Sequence, residues 1–158
     1  MSTAAQLLQD RLDVADAIYR YASTIDTKDR AGLRAVLADD LWAQYGNAEP
    51  VVGGDNVAEW IAGATEDMLW QHHLLSVYHI EIDGDVAKAL TYHTSYQVHK
   101  DDPDTVLVLI ARYHQQLRRG ANGWQLVRLV FEILWGERRQ DTTGYLADVG
   151  GRGPHPIP

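Results

Sequence analysis

Trp70-Gln71-His72-His73-Leu74-Leu75-Ser76, running on through Ile80-Glu81-Ile82 to Asp83-Gly84, is the point at which the chain changes character. Upstream of it, apolar residues recur at helical steps. Downstream, short alternating runs are divided by turn residues, and Asp83-Gly84 is a strong hairpin signal because its second position tolerates positive φ. The return strand is expected from Val86 through His99. Lys100 to Asp104 makes the next turn, Thr105 to Arg118 the next strand, Gly120 to Gly123 another tight connection, and Trp124 to Trp135 the last strand. In that last strand Val127, Leu129, Phe131, Ile133 and Trp135 share one face by alternation, with Arg128 and Glu132 opposite.

Working back toward the N-terminus, Leu8, Leu12, Ala15, Ile18, Tyr19, Ala22 and Ile25 recur at three- and four-residue steps, which predicts one long helix over Gln6 to Ile25. Asp29 is the expected N-cap of a shorter helix through Leu33 and Leu37. Trp42 to Tyr45 reads as a short strand, residues 46–54 as a loop, and Asp55 as the cap of a third helix ending near Met68. Helices followed by an antiparallel meander indicate an α+β fold, in which a curved sheet wraps around the N-terminal helices and leaves a cavity at its open mouth. One domain over residues 1–149 is expected, with a Gly- and Pro-rich arm at 150–158.

Composition narrows the function. The 158 residues carry a net charge of -8 with 14 scattered Lys and Arg, which argues against nucleic-acid binding. An apolar fraction of 46% lacks any span long enough for a membrane, and the first residues lack the basic and apolar regions of a signal peptide. A cytoplasmic protein with a small-molecule ligand is the expectation. The absence of Cys removes disulfides, thiol nucleophiles and thiolate metal sites.

The ordered set Ile25-Asp26-Thr27-Lys28-Asp29, Leu33-Arg34, Tyr45, Gln71-His72-His73, Tyr92-His93 leading to His99, and Ile133-Leu134-Trp135-Gly136-Glu137 resembles scytalone dehydratase. More broadly, it is similar to the SnoaL-like polyketide cyclases and dehydratases of the nuclear transport factor two superfold. The resemblance spans Leu12 to Glu137. It implies a cone-shaped α+β barrel with one deep pocket, a homo-oligomer that is dimeric or trimeric, and chemistry without a metal or organic cofactor. It also implies that Asp26 orients a catalytic His99, that Tyr45 polarises a substrate carbonyl through a water, and that His72 or His73 is the second catalytic histidine. The Gln-His dipeptide favours His72, whereas the distance to Asp83-Gly84 favours His73.

That set suits elimination of water beta to a carbonyl. The reaction needs a base for the alpha proton, an acid for the leaving hydroxyl and a donor for the enolate oxygen. Histidine exchanges protons near neutral pH, and a carboxylate on one ring nitrogen fixes its tautomer. Each residue also has a structural reading: Asp26 as a helix end, His99 as a solvated strand end, Tyr45 as core. Strand alternation sends His72 and His73 to opposite faces, and His79, His93 and His114 have no evident partners. Against the pattern of the relative, Ile25 replaces a tyrosine, while Val108 and Ile110 replace a serine and an asparagine. The pocket is therefore expected to be apolar, lined by Ile25, Trp42, Val108, Ile110, Phe131 and Trp135, and suited to a polyketide-, terpenoid- or steroid-like carbonyl compound. A dehydratase or cyclase is the leading expectation. A noncatalytic binding or oligomerisation domain, or an isomerase with Asp26 as base, is the alternative.

Overall fold

The computed structural model describes residues 3–140. The expected arm at 150–158 lies outside the described residues. Three helices come early: α1 (Ala4–Asp26), α2 (Arg30–Ala35) and α3 (Gly54–Thr65). The strands are β1 (Leu37–Tyr45), β2 (Val51–Val52), β3 (Met68–Asp83), β4 (Val86–His99), β5 (Asp102–Gly120) and β6 (Gly123–Gln140). They form one curved, unclosed sheet in the order β2-β1-β6-β5-β4-β3. Every pairing is antiparallel except that of β1 with β6.

Local chemistry explains the helix limits. Thr3 caps α1 by accepting the Gln6 N–H, and Val14, Ile18, Tyr21 and Ile25 bury one stripe of it against the sheet. The helix stops in a Schellman turn: the Asp29 N–H donates to the Thr24 carbonyl and the Lys28 N–H to that of Ile25. Lys28 occupies the turn's left-handed position with φ 57°. Its ammonium donates to the Met68 carbonyl at 2.9 Å, tying the end of α1 to the start of β3. Asp29 caps α2 as expected, accepting the Gly32 N–H at 2.9 Å. The third helix begins differently from the sequence expectation. Gly53, at φ 98°, holds its N-cap position, and Asp55 in the first turn pairs with Arg34 at 2.6 Å.

Two irregularities in the sheet govern which side chains face inward. Between β5 and β6, Leu117 pairs with Leu126 and Gln116 with Arg128, so Val127 is skipped. Leu126 and Leu129 are consequently the fully buried residues there, rather than Val127. Farther along, Ile110 pairs with Trp135 and Ala111 with Ile133, so Leu134 is skipped and the facing reverses again. The core lies between α1 and the concave face of the sheet, where Ile18, Leu37, Leu41, Leu117, Leu126 and Leu129 are shut away from solvent. Among the described residues, no helix is long and apolar enough to cross a membrane.

Candidate active site

A cavity of about 270 Å³ lies between the helices and the sheet. Tyr21 and Ile25 of α1 form one wall, Trp60, Ile61 and Thr65 of α3 cover it, and Met68, Gln71 and His73 come from β3. The sheet completes it with His93 and Gln97 of β4, Tyr113 of β5, Phe131 and Ile133 of β6, and Tyr45 at the end of β1.

Asp26, the last residue of α1, reaches His73 and not His99. Its Oδ1 lies 2.5 Å from His73 Nδ1, and its Oδ2 accepts the His73 backbone N–H at 2.9 Å. A carboxylate only accepts, so Nδ1 carries the hydrogen, and in the neutral ring this leaves the lone pair on Nε2. The His73 side chain is 7% exposed and that of Asp26 20%. Alternation along β3 separates the doublet: Gln71 and His73 line the cavity, whereas His72 is exposed on the outer face with its ring 6.4 Å from that of Tyr96. His99 ends β4 half-buried, opposite Met68 and Asp102, and is not part of the cavity wall.

His93 takes the place beside His73. Their ring centroids are 5.1 Å apart, and His93 packs edge-on against Tyr113 and Phe131. It is 2% exposed and neither ring nitrogen has a hydrogen-bond partner. Burial, reinforced by His73, pushes its pKa down to about 3, so it is neutral at pH 7. The sequence reading left His93 without a partner; the available signal was its alternation with Ser95 and Gln97 on a single face. His79 and His114 are surface residues, paired with Glu81 and Glu132.

Tyr45 stacks on Trp60 with centroids 4.4 Å apart and 13° between planes, and its hydroxyl is 2.8 Å from that of Tyr21. Burial raises both phenol pKa values above their usual range, as it does for Tyr113, so all three keep their protons. Tyr21, one helical turn before Ile25, was not among the sequence candidates.

Of the expected pocket lining, Ile25 and Phe131 are present. Trp42 faces out beneath the Arg128 guanidinium, 4.0 Å from its ring centroid. Val108 is buried but outside the cavity, while Ile110 and Trp135 pair with each other and are 41% and 47% exposed. The skipped Leu134 accounts for Trp135, whereas Ile110 points outward by unbroken alternation with the buried Ala111 and Tyr113. Among the described residues, no group of three or more His, Asp or Glu side chains is placed to hold a metal ion.

A family model described as the SnoaL-like domain matches residues 6–130. An uncharacterized protein of Mycobacterium tuberculosis is 23% identical over 124 residues, covering 78% of this chain and 84% of its own length. Among solved structures, a candidate scytalone dehydratase from Novosphingobium aromaticivorans superposes with a TM-score of 0.79 at 14% identity, covering 98% of this chain and 97% of the other. A hexachlorocyclohexane dehydrochlorinase from Novosphingobium barchaimii superposes with a TM-score of 0.78 at 12% identity, covering 87% and 94%. These structural likenesses show the fold: a cone-shaped α+β architecture of the nuclear transport factor two type.

Proposed function

This chain belongs to the SnoaL-like domain family, and on that premise we propose that it is a lyase that eliminates water next to a carbonyl, with His73 as the proton-transfer group. The observation that carries the reading is the Asp26–His73 pair, held at 2.5 Å in the wall of a cavity lined by aromatic side chains. Both Asp26 oxygens are engaged by His73, which favours His73 over Asp26 as the base.

In the proposed reaction, His73 Nε2 removes the proton alpha to the carbonyl, and the C–H electrons form the enolate. The negative charge of Asp26 stabilises the imidazolium so formed. The enolate then re-forms the carbonyl, makes the new C=C bond and breaks the beta C–O bond. The departing oxygen takes the proton back from His73 Nε2 and leaves as water. One histidine serves as base and then acid because His93, held neutral, has no acidic proton to give near pH 7. The contribution of His93 is a single N–H donor and a single acceptor of fixed position. Tyr45 supplies the donor for the enolate oxygen. If the Tyr21 O–H donates to the Tyr45 oxygen across their 2.8 Å contact, the Tyr45 proton is free to point into the cavity.

A bicyclic β-hydroxy ketone fits a cavity of this size. 3-Hydroxy-1-tetralone is a direct probe, since loss of water yields 1-naphthol, which is read by absorbance. Turnover by the unaltered protein and a loss of roughly 100- to 10,000-fold in His73→Ala and Asp26→Asn, with ligand binding retained, is the expected result. Equal turnover in all three proteins would exclude the pair as catalytic.

Assembly is part of the same proposal. On the face opposite the cavity, Leu74, Thr94, Ile110 and Trp135 lie side by side across β3 to β6, with Tyr78 packed on Tyr92 in the adjoining rows. Leu74, Tyr78, Ile110 and Trp135 are all more than 40% exposed. Contiguous apolar surface of this kind marks association sites, and a second copy of this chain is the proposed cover.

A further inference from the structure

The last turn of α3, residues 62–65, has open space on both sides. Ala64 and Thr65 line the large cavity. Ala62 and Thr65 line a second cavity of about 140 Å³, set between the end of α1, the start of α2 and the end of α3, with Lys28 and Leu33 also in its wall. Ala64 and Ile133 of β6 line the large cavity and are both exposed, so this turn forms one side of its opening. The turn is also the least secured part of the helix. Upstream of it, Val57 and Ile61 are buried, Asp55 pairs with Arg34, and the Asn56 amide donates to the Val52 carbonyl at 2.8 Å. Downstream, the connection to β3 is clamped. The Lys100 ammonium donates to the Glu66 carbonyl at 2.7 Å, and the Lys100 N–H to that of Asp67 at 2.9 Å. Between these anchors the Glu66 N–H reaches the Gly63 carbonyl only at 3.4 Å, longer than an ordinary backbone bond. The Thr65 hydroxyl bonds back to the Ile61 carbonyl at 2.9 Å, a contact that competes with the helical ladder. Gly63 adds backbone freedom with no neighbour to restrain it, since a Cβ built there meets nothing within 4 Å.

We propose that residues 62–65 are a gate, which withdraws into the small cavity to admit a ligand to the large one and then closes behind it. A turn packed against a solid interior would have to displace other side chains in order to move. Here the space behind it is already open. The buried Ile61 on one side and the lysine clamp on the other confine the movement to a single turn. Entry and exit then share one opening step, so the gate sets both rates and leaves the affinity alone. The inference rests on the large cavity being the ligand site and adds how a ligand reaches it.

Gly63 lines neither cavity, so Gly63→Ala stiffens the closed turn without altering either wall. Fluorine NMR of 6-fluoro-1-tetralone, followed through its exchange between free and bound signals, gives the affinity and both rates in one titration. Gly63→Ala is expected to slow association and dissociation by the same factor, roughly two- to fivefold, with Kd unchanged. Ala62→Leu nearly preserves helix propensity and fills the space into which the turn withdraws, so it should slow both rates as well. Unchanged rates in either folded variant, or a shift in Kd in place of matched changes in the two rates, overturns the gate. Gly63→Ala decides alone where Ala62→Leu fails to fold. Since no turnover is measured, an inactive protein that gates the probe refutes the elimination reading and leaves this one standing, whereas failure of the unaltered protein to bind the probe overturns the gate as well.

Discussion

His93 is the residue whose chemistry departs most from what its sequence position suggests. Its pKa of about 3 lies below the ordinary histidine value of 6.5, so between those values the unfolded chain binds the proton and the folded one does not. Stability from this group is therefore complete above pH 6.5 and is lost as pH falls toward 3, by up to about 1.4 kcal/mol per pH unit. Replacing His93 with Phe keeps the ring volume and removes two unpartnered nitrogens. In urea melts, His93→Phe is expected to be at least as stable as the unaltered protein at pH 7, and to lose roughly 2 kcal/mol less between pH 7 and pH 4.5. Parallel acid slopes would show that His93 already binds a proton in the folded state. Asp26 was legible as a site candidate through the resemblance of Ile25-Asp26-Thr27-Lys28-Asp29 to the family pattern, since its own position reads equally well as a helix end. His93 was harder to find, because a histidine without a partner in the sequence looks the same whether it lies against solvent or against Tyr113 and Phe131.

The junction between α1 and α2 controls where Asp26 points. Lys28 holds a left-handed backbone that costs a side chain about 1 kcal/mol relative to glycine, and its ammonium offsets part of that by bonding the Met68 carbonyl. Lys28→Ala loses the tether and keeps the strain, whereas Lys28→Gly loses both. Thermal melts should place Lys28→Gly above Lys28→Ala by about 1 kcal/mol, and the reverse order would mean that the turn relaxes when the tether is cut. Helix stripes, the cap at Asp29 and the Asp83-Gly84 hairpin were all readable because each depends on neighbours within a few residues. The parallel pairing of β1 with β6 was not, since it joins Trp42 to Arg128 and Tyr45 to Phe131 across most of the chain. Nor were the skipped residues Val127 and Leu134 visible. A single extra residue reverses the facing of everything beyond it, which is why Trp135 was expected in the cavity and stands outside it.

Across the whole molecule, the concave face of the sheet encloses the proposed chemistry and the convex face carries the proposed contact with a second copy. Sedimentation velocity should find a species larger than one chain, and Leu74→Lys combined with Trp135→Lys should return it to a monomer that keeps its cavity. A monomer before substitution would contradict the assembly. The central claim is that the Asp26–His73 pair removes a proton from carbon inside that cavity. Proton NMR of 1-tetralone in deuterated water reads this step alone, since exchange at C2 needs a base and an enolate but no leaving group. The expected result is exchange catalysed by the unaltered protein and cut at least 100-fold in His73→Gln, with Tyr45→Phe intermediate. Exchange at the same rate in His73→Gln as in the unaltered protein, or no catalysed exchange in either, would contradict the account.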